Sequence, residues 1–97
     1  MIQVHDIFIC KPGNASKLAK MCKENMSMFP ETVNVLTDMT GQYHRVIMVN
    51  QFENLTAYEK SFEKMANPTP EMKKMNEQFA NMNEMYTSGS REIYKVW

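Results

Sequence analysis

The most constraining stretch of this chain is residues 2–10, which in extended form would be apolar on both faces. Ile2, Val4, Phe8 and Cys10 fall on one side with Asp6 among them, and Gln3, His5, Ile7, Ile9 and Lys11 fall on the other. A strand of that kind needs cover on both faces. Pro12-Gly13 stops it, and Asn14 is placed to cap a following helix. That helix is expected over residues 15–28, with Ala15, Leu18, Cys22, Met26 and Phe29 as its inward stripe. Pro30 ends it.

Residues 32–39 and 43–53 read as two strands joined at Thr40-Gly41-Gln42, a hairpin pattern. In the second of them Val46, Met48, Asn50 and Phe52 share a face with His44. Thr56-Ala57-Tyr58-Glu59 is a capping box that predicts a helix start, and Leu55, Tyr58, Phe62 and Met65 form its apolar stripe. Asn67-Pro68-Thr69-Pro70 interrupts, with Thr69 as the next cap and Pro70 at the first helical position. Met72, Met75, Phe79, Met82 and Tyr86 repeat at three and four, and Ser88-Gly89-Ser90 is expected to close that helix. Residues 91–97 then form a last strand.

Strand, helix, hairpin, two helices and strand is the βαββααβ order of a ferredoxin-like α+β fold, an antiparallel sheet with its helices on one face. Ninety-seven residues suit one domain spanning 1–97. The first and third strands are central antiparallel neighbours in such a sheet. Their apolar faces coincide if Ile2 lies opposite Phe52, Val4 opposite Asn50, Asp6 opposite Met48, Phe8 opposite Val46 and Cys10 near His44. The other face, with Ile7, Ile9, Ile47 and Val49, is too apolar to lie bare, so a second copy of the chain is the expected cover.

Eleven basic residues balance eleven acidic ones, so the net charge is zero and no positive field exists for nucleic acid. Lys11, Lys17, Lys20 and Lys23 read as a solvated helix face. Cys10 and Cys22 have no paired spacing, which fits buried thiols in a reducing cytoplasm. No apolar run approaches 18 residues, so no membrane partner is expected. Eleven methionines fit an irregular core or a pliable binding surface.

Ile7-Phe8-Ile9-Cys10-Lys11-Pro12-Gly13, with the helix behind it, resembles the first strand and turn of dimeric α+β barrel proteins, the antibiotic-biosynthesis-monooxygenase-like and NIPSNAP-like groups. Asn50-Gln51-Phe52-Glu53-Asn54-Leu55-Thr56-Ala57-Tyr58 is similar to their strand-to-helix junction. The resemblance implies a homodimer whose sheets close into a barrel, with small-molecule pockets between each sheet and its helices. Heme-degrading members use an Asn on the first strand and a Trp and a His on later helices. Here Asp6 stands in place of that Asn, Tyr58 falls roughly where the Trp would be, and no His follows His44. Heme degradation is therefore not implied.

Asp6 is the candidate catalytic residue. A carboxylate among apolar neighbours needs a partner or a raised pKa. It could act as a general base on an acidic carbon or phenol, as in members of this fold that oxidise aromatic substrates without a cofactor. The plainer reading is a strand Asp bonded to a backbone group, a helix N-terminus or Tyr58. Asn50, Tyr58 and Tyr94 are candidate hydrogen-bond partners for a substrate, and His44 joins them through its place beside Cys10. No paired His or Cys spacing points to a metal, and no cofactor is expected. The expected function is binding of a small hydrophobic molecule by a homodimer, with cofactor-independent monooxygenation as the reaction. A non-catalytic binding or stress-related interaction module is the alternative.

Overall fold

In the computed structural model, which describes residues 1–97, nine residues of β1 (Ile2–Cys10) run through the middle of a four-stranded antiparallel sheet. α1 (Ala15–Glu24) follows, then β2 (Thr32–Thr37), β3 (Arg45–Phe52), α2 (Leu55–Ala66), α3 (Pro70–Gln78) and β4 (Tyr86–Lys95). Single 3-10 turns at Met26–Met28 and Met82–Glu84 precede β2 and β4. The strand order β2-β3-β1-β4 with three helices is a ferredoxin-like α+β fold.

The register of the central pair follows from side-chain alternation. Ile2 lies opposite Phe52, Val4 opposite Asn50, Asp6 opposite Met48 and Phe8 opposite Val46. The Cys10 N–H donates to the His44 carbonyl at 2.7 Å, so the last expected pair also meets. Any one-residue slip would turn Val4 and Val46, both wholly buried, out of the core. Val4, Asp6, Phe8 and Cys10 face the helices together with Val46, Met48, Asn50 and Phe52.

The core is concentrated under α1. Leu18, Cys10, Cys22 and Val46 form one buried cluster, with Phe8, Phe79, Met82 and Met85 packed against it. Both cysteines are free thiols. Burial pushes the Cys22 thiol up to about 11, with Cys10 adding to the rise.

Several local expectations are corrected. α1 stops at Glu24, where Asn25 caps it and its amide donates to the Met21 carbonyl at 2.8 Å. Asn14 makes no side-chain cap, but Thr69 does cap α3, accepting from the Met72 N–H at 3.2 Å. α2 is capped by Asn54 rather than Thr56, through the Ala57 N–H at 2.9 Å, so it begins two residues earlier than the capping box implied. β3 begins only at Arg45, whose N–H is bound by Asp38 at 2.8 Å, because His44 takes a left-handed φ of 62° that breaks the strand. The periodic methionine run is not one helix. α3 ends at Gln78, and Ser88, Gly89 and Ser90 lie inside β4, where β1 supplies the ladder that overrides their poor strand propensity.

Candidate functional site

The far half of the helix-covered face is hollow. A cleft of about 240 Å³ opens between the sheet and α2, with Met28, Met48, Met65 and Met72 supplying much of its apolar lining. That volume is just below the ~300 Å³ at which drug-sized pockets begin, so it suits a small ligand. Four methionines make its wall adjustable. Phe52, Tyr58 and Phe62 form a run of tilted rings with centroids 5.2 and 5.0 Å apart.

Polar groups gather at the base of this cleft. Asp6 on β1 lies directly opposite Arg91 on β4, and the Arg91 Nε donates to Asp6 Oδ1 at 2.7 Å. The hydrogen bond to Asp6 pushes the Arg91 pKa up, against the pull of burial. The guanidinium carbon lies 5.8 Å from the centre of the Tyr58 ring. Tyr58, on the first turns of α2, has a buried hydroxyl with no hydrogen-bond partner. Burial raises its pKa, the Arg91 charge opposes that rise, and the Asp6 charge adds to it. Asn50 on β3 accepts a hydrogen bond from the Thr32 hydroxyl at 2.6 Å.

Three of the five residues singled out from sequence therefore meet in one cleft: Asp6, Asn50 and Tyr58. The other two do not. His44 is exposed on the loop before β3, its left-handed backbone having removed it from the strand face. Tyr94 pairs with Gln3 on the opposite face of the sheet, where its ring lies 4.8 Å from His5 and its hydroxyl donates to Glu92. Arg91 was missed by sequence reasoning. Its alternation with Ile93 along the last strand was the available signal, but it begins beside a segment that reads as a helix end. Lys64 and Glu31 pair at 3.6 Å on the cleft wall. No group of three His, Cys, Asp or Glu side chains is arranged to hold a metal ion.

Comparison with known proteins locates this geometry in a recognised fold. A NIPSNAP family protein from Agrobacterium tumefaciens superposes with a TM-score of 0.78 at 13% identity, covering 97% of this chain and 90% of that one. An uncharacterised NIPSNAP domain protein from Burkholderia xenovorans gives 0.79 at 9% identity, covering 100% and 95%. The fold is that of the NIPSNAP proteins. A candidate antibiotic biosynthesis monooxygenase from Deinococcus radiodurans shares it more loosely, with a TM-score of 0.62 at 13% identity over 100% of this chain and 93% of that one. No family model and no curated protein sequence matches the chain. At these identities the NIPSNAP-like likeness is one of backbone, so the chemistry of the cleft has to be argued from its own side chains.

Proposed function

We propose that this NIPSNAP-like chain binds a small molecule with a hydrophobic, aromatic body in the cleft between the sheet and α2, and acts on it as a cofactor-independent monooxygenase. The observation that carries the reading is a carboxylate, Asp6, on the sheet side of a cleft whose apolar lining is methionine and aromatic. Asp6 takes a proton from the substrate, and the electron-rich anion reacts with dioxygen as co-substrate. One oxygen atom stays on the deprotonated carbon as a new carbonyl, and the other leaves as water with the two hydrogens that carbon gives up, so the substrate supplies all the electrons. Tyr58 and Asn50 orient the substrate. The alternative, a non-catalytic binding module, is favoured by one feature: an Asp6–Arg91 pair is also what a purely structural strand pairing would show.

The working unit in this proposal is a homodimer built on the sheet face away from the helices. Leu36, Ile7, Ile9 and Ile47 line that face with Gln3, His5 and Tyr94. The chain exposes 6811 Å². A folded monomer of 11.4 kDa should expose about 5,800 Å². The excess of about 1,000 Å² is close to the ~800 Å² that each partner buries in a standard interface.

Native mass spectrometry of the purified protein tests both parts. Two chains with a constant small adduct are expected. Two bare chains would move weight to the binding-module alternative, and a clean monomer would remove the dimer. Asp6→Asn then separates the readings further: a catalytic Asp6 loses turnover with the fold intact, whereas a structural one leaves nothing to lose but stability.

A further inference from the structure

Around Asp6, the spare hydrogen-bonding capacity of the cleft residues is mostly donor. Arg91 commits Nε to Asp6, and its two Nη groups make no hydrogen bond within the chain. The Tyr58 hydroxyl is buried and unpaired, which the fold tolerates at a cost in stability. Asn50 has its oxygen occupied by Thr32, and its amide N–H groups are unused. These donors belong to residues that line one cavity, and the acceptor beside them is Asp6 Oδ2, which makes no hydrogen bond within the chain; Glu31, the other carboxylate of the lining, is paired with Lys64 at 3.6 Å. A ligand that completes this site carries an acceptor oxygen next to a group able to give up a proton.

Building on the proposed function, we propose that Arg91 and Tyr58 are the oxyanion-binding half of the same site, and that the substrate class is a small aryl ketone with an acidic C–H beside its carbonyl. Asp6 Oδ2 takes the C–H proton. The C–H electron pair becomes a carbon–carbon double bond, and the carbonyl π pair moves onto oxygen as an enolate. Arg91 Nη groups and the Tyr58 hydroxyl hold that enolate.

The electrostatics favour this sequence. At rest Arg91 is paired with an ionised Asp6 at 2.7 Å. Proton transfer neutralises Asp6 at the moment the enolate appears, so the guanidinium exchanges one anion for another. One ion pair exists before the step and one after it, and no charge is left uncompensated in the cleft. The phenol ring of Tyr58 lies beneath the guanidinium, which limits the directions open to its free Nη groups. Phe52 and Phe62 flank Tyr58 as a surface for an aromatic ring.

The test uses 2-tetralone as probe in heavy water, following loss of its benzylic C–H signals by proton NMR. The methyl signals of Met65 and Met72 report binding in the same samples. Wild type should shift both methyl signals and accelerate exchange over buffer. Asp6→Asn and Arg91→Gln should each lose at least about tenfold of that acceleration while still shifting the methyl signals, since single base or oxyanion groups contribute about 10²–10⁴ and 10²–10³. Arg91→Lys, which keeps the charge and guards against loss of fold in Arg91→Gln, should retain an intermediate rate. Bound probe with no acceleration in wild type, or Arg91→Gln and Arg91→Lys exchanging as fast as wild type, overturns the oxyanion assignment and leaves the pocket standing. Unshifted methyl signals in wild type overturn the pocket reading as well.

Discussion

The two ends of the helix-covered face are built from the same two strands and have opposite characters. Under α1, β1 and β3 contribute Cys10 and Val46, and Leu18 and Cys22 close over them to make a buried cluster. Under α2, the same strands contribute Asp6, Asn50 and Phe52, and neither α2 nor α3 has a fully buried residue. One end is packed to exclude everything, and the other is held open around an ion pair and an unpaired hydroxyl. A small domain with only seven buried residues in 97 can spare little core, so leaving half of its protected face unfilled is a concentrated cost in stability.

That contrast can be broken most sharply at Leu18. Leu18→Ala should cost about 2–5 kcal/mol by urea unfolding, because Leu18 has no exposed surface and the cluster cannot collapse onto the gap. A loss under 1 kcal/mol would mean the α1 end is as loose as the α2 end. Cys22 sharpens the same point through pH. Its folded thiol titrates at about 11 against 9.0 for a free one, so its protonated form stabilises the fold fully below pH 9. That contribution is lost as pH rises from 9 toward 11, and Cys22→Ala should flatten the alkaline loss seen in denaturant midpoints.

Effects at the hollow end should be smaller. Asp6→Asn is expected to change stability by less than about 1 kcal/mol, because the side chains of Asp6 and Arg91 are 23% and 51% exposed and solvent screens their pair. A loss of 3 kcal/mol or more would make the pair a buried structural bridge. Tyr58→Phe should leave the melting temperature unchanged or slightly higher, since it removes a buried hydroxyl that has no partner. A clear drop would show that the hydroxyl is bonded in solution and unavailable to a ligand.

Much of the site was legible because alternation along one strand is a local property. Asp6, four residues from both Ile2 and Cys10, must share their face, and the matching pattern in Val46, Met48, Asn50 and Phe52 sets the register. Tyr58 was legible from its stripe on α2. Arg91 was not, because its partner lies 85 residues away and only the β1–β4 ladder brings them together. His44 was misplaced for the converse reason: its alternation fits a strand, but the left-handed backbone at the end of the loop turns it out to solvent.

The methionines divide along the same line. Helical spacing identified the stripe, but tertiary packing sends Met82 to the core and Met72 to the cleft.

The sequence by itself determined the order of elements, the central register and the face on which Asp6 sits, because each depends on periodicity or turn residues within a few positions. Only the tertiary structure decided that Asp6 is held by Arg91, that Tyr58 is left unpaired, and that one end of the protected face is open. Those are outcomes of which distant strands lie side by side and how far the helices stand off the sheet, and no local pattern of residues encodes a distance between elements.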